Sequence, residues 1–339
     1  MGQGDHCPQD EGHFFALERK ARTRVRASAF LLLLIFAAGA AAQSYPARPV
    51  RIIVTVAPGG GNDFVARLAG QKLGERLGQQ FIVDNRPGGN GTIGTALAAK
   101  AAPDGYTLLL GFVGSLAMTP HVEKVPYDPL RDFTGVSLLA SSYHILAVHP
   151  SLPVRSVKQF VAFAKARPGE LNYASASIWG PTHLVPELFK SVAGVDIVPI
   201  HYKGAALAAV GVLSGEAQAI FASVTALTSH MRSKRLVALA VTSPSRSPSA
   251  PELPTFKELG YPRVEAPSWY SIVAPAATPR DLVGRLHGEM AKIAALPDYR
   301  DQLERQGFEP QSSTPGEFAA FLQTEYDKWG KVIKALKPQ

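Results

Sequence analysis

Hydrophobic and polar positions along this chain fall into short apolar runs separated by longer stretches of helical period. Val50-Arg51-Ile52-Ile53-Val54-Thr55-Val56 is β-branched and ends at Pro58 and three glycines, which predicts a buried strand. From Phe64 the apolar residues Phe64, Val65, Leu68, Leu73 and Leu77 share one helical face, with Asn62 or Asp63 placed to cap it. The pattern then repeats. Strands are predicted at 81–83, 106–110, 145–148, 171–175, 197–200, 217–221, 236–242 and 270–273. Helices are predicted at 92–101, 157–166, 183–192, 205–213, 281–294, 299–306 and 315–336. Alternation of this kind predicts an α/β chain with mostly parallel sheets covered by helices.

The clearest break in composition is Ser243-Pro244-Ser245-Arg246-Ser247-Pro248-Ser249-Ala250-Pro251, read as a crossover; a second is placed near Leu139 to His144. They divide the chain into one lobe at 43–142 plus 247–339 and another at 143–246, and two crossing strands make a hinge. In such sheets ligands sit beyond the carboxyl ends of the strands.

Two strand–turn–helix junctions carry the candidate chemistry. The first is Pro58-Gly59-Gly60-Gly61-Asn62-Asp63, where glycines turn a strand into a helix. Such a turn points unpaired backbone N–H groups and the helix dipole outward, which suits a carboxylate. The second is Ser175-Ala176-Ser177-Ile178-Trp179-Gly180-Pro181-Thr182-His183, with Pro181 suited to the first helical position. Facing each other, the two would clamp both ends of a small dicarboxylate. Each is equally readable as an ordinary βα loop. Gly89-Asn90-Gly91-Thr92-Ile93-Gly94 spells a dinucleotide fingerprint but lacks the acidic residue that should close the next strand. There is no G-x-S-x-G elbow, no H-E-x-x-H and no helical i, i+4 histidine pair, so neither a hydrolase, a metal site nor a cofactor is expected. Trp269-Tyr270 reads as core or as a pocket wall.

Composition adds the setting. Arg19, Lys20, Arg22, Arg24 and Arg26 precede the apolar stretch Phe30 to Phe36, and Ala40-Ala41-Ala42 offers a cleavage site before Gln43. Segment 1–42 is therefore read as a signal peptide for export. The single cysteine, Cys7, falls inside it, which leaves the exported part without disulfides or thiol chemistry. The net charge of +8 shows no basic run interleaved with aromatics, so nucleic acid is not expected as a partner.

Several motifs in order resemble the Bug family of periplasmic solute-binding proteins, the receptors of tripartite tricarboxylate transporters. They include Tyr45-Pro46-Ala47-Arg48-Pro49, Gly59-Gly60-Gly61-Asn62-Asp63, Asp84-Asn85-Arg86-Pro87-Gly88-Gly89, Ala102-Pro103-Asp104-Gly105-Tyr106, Pro126-Tyr127-Asp128-Pro129, Tyr202-Lys203-Gly204 and Leu253-Pro254-Thr255. The resemblance implies a two-lobed Venus-flytrap fold, a type II-like periplasmic-binding-protein architecture, that closes on a small carboxylate. It also implies a periplasmic monomer without catalysis, and partners in a large and a small membrane subunit of a transporter. By position it places contacts at Val56, Pro58, Gly59, Gly60, Asn62 and Asp63, and at Ser115. In the second lobe they fall at Ser175, Ala176, Ile178, Trp179, Gly180, Thr182 and His183, with Tyr202, Ala222 and Ser223. The chain departs from the pattern at Val56, where an aromatic is usual, at Asn62, where Thr or Ser is usual, and at Trp179, where a small residue is usual. It departs again at Ala222-Ser223, where most members carry an Asp. The last change argues against an amino-acid ligand, and aromatic acids stacking on Trp179 or Tyr270 become candidates. Two other functions fit the same pattern: a ligand-responsive partner of a sensor protein, and a secreted α/β enzyme using His183 or Ser175.

Overall fold

Strand β1 (Val50–Val54), two residues shorter than the sequence predicts, lies at the heart of a six-stranded sheet. It pairs in parallel with β2 (Phe81–Asn85) and β3 (Thr107–Phe112). Helices cover both faces of such a parallel core, which is why β1 and β3 read as continuous apolar runs rather than as alternation. The computed structural model describes residues 1–2, 45–248 and 250–336; apart from residues 1–2, the segment read as an export signal lies outside the described residues. No described helix is long and apolar enough to cross a membrane.

The first sheet has the order β11-β4-β10-β3-β1-β2, with β4 at Phe133–Ser142, β10 at Ser268–Pro275 and β11 at Glu309–Pro310. The second runs β7-β6-β8-β5-β9, with β5 at His144–Val148, β6 at Asn172–Ser175, β7 at Val198–His201, β8 at Ala219–Ser223 and β9 at Val237–Val241. In each sheet one central strand, β10 or β5, runs against its neighbours. Each of these strands follows directly on a passage of the chain between the sheets.

The chain passes from β4 to β5 through Tyr143 alone and returns between Val241 and Ser268. The two passages are bonded together: Thr242 N–H donates to His144 O at 2.9 Å, and His144 N–H donates to Thr242 Oγ1 at 3.0 Å.

Nine helices among the described residues position the turns. They are α1 (Gly61–Leu77), α2 (Thr92–Ala99), α3 (Val157–Lys165), α4 (Pro181–Ala193), α5 (Ala205–Leu213), α6 (Val224–Arg232), α7 (Arg280–Ala294), α8 (Pro297–Arg305) and α9 (Pro315–Leu336), apart from short helical turns such as Thr119–Val122. Three features go beyond the sequence pattern. β4 carries the residues assigned to a crossover, Leu139 to Ser142; buried on both faces, it has no polar alternation to mark it. A helical stretch at 114–122 follows β3. Helix α6 begins at Ser223, whose Oγ accepts the Ala226 N–H; its Thr-rich start masks the helical period.

The glycine fingerprint at 89–94 has a packing role. A side chain at Gly94 would come within 2.8 Å of the Arg86 carbonyl, and one at Gly91, where φ is +92°, within 3.1 Å of Thr55 Oγ1. These glycines let α2 lie close against the ends of β1 and β2.

Candidate functional site

The first turn is built by its own short-range chemistry. Gly59 has φ +88°, a left-handed conformation that glycine adopts without strain. Gly60 is the N-cap of α1 in extended conformation, and no side chain caps the helix. Its carbonyl accepts the Phe64 N–H at 3.0 Å, which leaves the N–H groups of Gly61, Asn62 and Asp63 without intrahelical partners.

Asp63 holds this turn in place. One carboxylate oxygen accepts the Gly59 N–H at 3.0 Å and Arg67 Nε at 2.9 Å; the other accepts Asn85 Nδ2 at 3.0 Å. Asn85 Nδ2 also reaches the Val56 carbonyl at 3.1 Å, which ties β2 to the turn. Burial alone would raise the Asp63 carboxyl, but the hydrogen bonds from Arg67, Gly59 and Asn85 outweigh it and hold its pKa below the ordinary range. With its oxygens engaged, Asp63 is a positioning residue. Asn62 is half-buried, and its Nδ2 has no partner among the described residues.

The turn opens on a cavity of about 290 Å³. Gly59, Gly60, Gly61 and Phe64 line it from the first sheet's side, with Gln306 and Phe308 from the tail. Ser223 and Ala226 line it from the second sheet's side. Phe64 and Phe308 stack at 5.8 Å between ring centroids, and Tyr270 meets Phe308 edge-on at 5.4 Å. These rings crowd the turn closely enough that a Cβ on Gly61 would lie 2.9 Å from Phe308 Cζ.

The second turn is organised differently. Ser175 Oγ donates to the Ser177 carbonyl at 2.7 Å, and Thr182 Oγ1 accepts the Ala176 N–H at 3.0 Å. Trp179 sits at φ +61°, and its N–H donates to His183 Nδ1 at 3.1 Å. His183 is buried beside His201, with ring centroids 4.9 Å apart, and Trp179 lies edge-on at 5.3 Å. Burial, reinforced by His201, pushes the His183 imidazole down to about 4, so it stays neutral and its Nδ1 stays an acceptor. Ile178 is 53% exposed. The Tyr202 hydroxyl is buried against Gly211 without a hydrogen-bond partner among the described residues.

Of the residues singled out in the sequence, Gly59 and Gly60 line this cavity from one side and Ser223 from the other. Val56 and Pro58 lie on the approach to the turn, and Val56 contributes its carbonyl to Asn85. Ser115 is fully buried, its carbonyl accepting the Tyr127 hydroxyl at 2.7 Å, and Ala222 is buried in β8. Ser175, Ala176, Ile178, Trp179, Gly180, Thr182, His183 and Tyr202 do not line this cavity. Phe64, Ala226, Gln306 and Phe308 are the lining residues that the motif search did not assign to a site, and Tyr270, read from the sequence as core or a pocket wall, stands behind them. Phe308 had no local signal at all: it follows Gly307, far along the chain, and reaches the turn only through the fold.

A larger cavity, about 840 Å³, lies between α4, the Pro262–Val264 turn and α9. Two of its carboxylates are already engaged. Glu187 accepts the Tyr173 hydroxyl and Lys190, while Glu325 accepts Trp269 Nε1, Trp329 Nε1 and Lys328. Volume alone does not make it the better site.

Comparison with known proteins agrees with this architecture. Residues 65–337 match the model of the tripartite tricarboxylate transporter family receptor, TctC. Protein BugT of Bordetella pertussis is 35% identical over 310 residues, covering 90% of this chain and 94% of that protein. Among solved structures, Rpa4515 of R. palustris with adipate superimposes with a TM-score of 0.77 at 34% identity, covering 86% of this chain and 97% of that one. MatC from Rhodopseudomonas palustris with bound malate gives 0.74 at 27% identity, covering 85% and 100%. Matched along nearly all of its described length, the chain belongs to the tripartite tricarboxylate transporter receptor family.

Proposed function

We propose that this protein is an exported periplasmic receptor that binds a small carboxylate between its two sheets, for delivery to membrane subunits of a transporter. The observation that carries this reading is the uncapped N-terminus of α1, opening on a cavity walled from both sides of the molecule. Three free N–H groups and the helix dipole present partial positive charge to an anion without any charged side chain. Ser223 faces them from the second sheet. The bonded passages at His144 and Thr242 are the hinge about which the two lobes, 43–142 plus 247–339 and 143–246, close on the ligand. The adipate-bound and malate-bound relatives support a carboxylate as the ligand class.

A thermal-shift titration of ligand-free protein against mono-, di- and tricarboxylates tests it. A ligand at about a hundred times its Kd adds about 2.7 kcal/mol of stability, a shift of several degrees. In Gly60→Val the added Cβ meets nothing within 4 Å, so the fold should be kept while the N–H groups are shielded, and the shift should vanish. No response from any carboxylate, or a full response in Gly60→Val, would overturn the proposal.

A further inference from the structure

We infer that α2 and α5, one on each lobe, together form a docking surface for an uncharged, apolar face of a membrane-protein partner that touches both lobes at once. The inference rests on the receptor reading above and names the surface through which that receptor meets its partner.

The two helices hold the same place in the fold. β1-α1-β2-α2-β3 and β6-α4-β7-α5-β8 are the same unit: β1 pairs in parallel with β2 and β3, and β6 with β7 and β8. Each unit puts its second strand at the edge of its sheet and follows it with α2 or α5.

They also share a composition. Of the nine described helices, α2 and α5 alone carry no ionisable side chain. Each nevertheless turns an apolar face to solvent: Ile93 and Leu97, four apart, on α2, and Leu207 and Val210, three apart, on α5. Leu97 and Val210 are each the sixth residue of their helix. The edge strands add Ile82 on β2 and Val198 on β7, and all six side chains are 39 to 58% exposed. A helix side that faces water ordinarily carries charge, whereas the core of a protein interface is depleted of it.

Charge and duplication decide what covers this surface. A second copy would set the chain's net charge of +8 against the same charge, which keeps copies apart. Helices that lie on a lipid surface carry Lys or Arg beside the apolar face, and neither α2 nor α5 has one. An apolar protein face remains, and its repetition on both lobes fits a partner that bridges them. Both helices start at the cavity end of their sheets. β2 runs parallel to β1, which leads into the glycine turn; β7 and β8 both run parallel to β6, and β8 ends at Ser223. Closure about the hinge therefore changes the spacing of the two patches, and a partner seated on both has different affinity for the open and closed forms.

The test uses the exported protein, the carboxylates of the thermal-shift panel and membranes from the cells that make it. Co-sedimentation with those membranes should fall tenfold or more in Leu97→Glu and in Val210→Glu, and vanish in the double variant, because each new carboxylate would be buried unpaired. Both positions are exposed, so the variants should keep the wild-type Tm and thermal-shift response. Photo-crosslinking from Leu97→p-benzoylphenylalanine and from Val210→p-benzoylphenylalanine should label the same polytopic membrane protein. Vesicles of the cells' extracted lipid should not bind, and the free protein should sediment as a monomer. No binding by the wild type, undiminished binding by the double variant, or labels on two different proteins overturns the inference. So does variant-sensitive binding to lipid alone, or a wild-type dimer that the double variant breaks. In each of these cases a persisting thermal shift with a carboxylate leaves the receptor reading standing, and its absence overturns that reading too.

Discussion

Placing a carboxylate on the protein at Gly60 should stabilise the fold and abolish ligand binding together. Gly60 is the N-cap of α1 at φ −91° and ψ 177°, an extended conformation that any residue adopts, and a Cβ there meets nothing within 4 Å. In Gly60→Asp the new carboxylate accepts a free N–H at the second or third helical position. An acidic cap improves on glycine by a few tenths of a kcal/mol. Replacing a glycine also restricts the unfolded chain, which contributes about 0.4–1 kcal/mol. The helix dipole adds about 0.3–1 kcal/mol, and repulsion from Asp63, already matched by Arg67, offsets part of that. The net gain is about 1 kcal/mol, or a Tm higher by about 2 °C in a chain of this size. The same carboxylate occupies the place of the ligand's. Two like charges about 4 Å apart repel by about 4 kcal/mol at an effective dielectric of 20, so affinity should fall at least a hundredfold. Gly60→Asn caps without charge; it should stabilise comparably and weaken binding less. Differential scanning fluorimetry without ligand and calorimetry with the tightest-binding acid read both halves. A lower Tm in Gly60→Asp, or undiminished affinity, would refute the open-turn geometry.

Two further outcomes follow from buried polar groups. Glu325 accepts both Trp269 Nε1 and Trp329 Nε1, joining β10 to α9; Glu325→Ala strands two buried indole donors at about 1–3 kcal/mol each. Urea denaturation followed by tryptophan emission should show a loss of at least 2 kcal/mol, and a loss below 0.5 kcal/mol would mean the indoles do not depend on this carboxylate. The second concerns acid. His183 and His144 are held neutral by burial with pKa values near 4, against 6.5 in the unfolded chain. Their contribution is complete above about pH 6.5 and is lost as pH falls toward 4, because the unfolded chain then binds protons that the folded chain does not. The full interval corresponds to about 3 kcal/mol for each residue as an upper bound. In His183→Asn, which keeps an acceptor for the Trp179 N–H, the drop in stability between pH 7 and pH 4.5 should shrink by at least 1 kcal/mol; an unchanged drop would show that His183 does not carry it.

Much of the fold was legible in the chain because its cues are local. The β-branched run at Val50–Val54, the glycines that end it and the 3.6-residue period from Phe64 each act within a few residues, so β1, the first turn and α1 followed from sequence pattern alone. Pro181 marked the start of α4 in the same way. The family resemblance also rests on contiguous motifs. Cues that average over many neighbours were silent: β4 is buried on both faces, so its Ser, Thr and Gly residues gave no period to read. Which turn keeps free donors was likewise a tertiary decision. Both turns are strand–glycine–helix in sequence, and only side chains folded back onto the backbone, Thr182 and His183, close the second. The apolar wall was decided over the longest range, since Phe64, Tyr270 and Phe308 meet through the packing of the tail against α1. The sequence by itself determined that a glycine turn carries β1 into an uncapped helix, because backbone N–H direction follows from local conformation. What lies across from that turn depends on residues brought together by burial rather than by neighbourhood, and only the tertiary structure decided it.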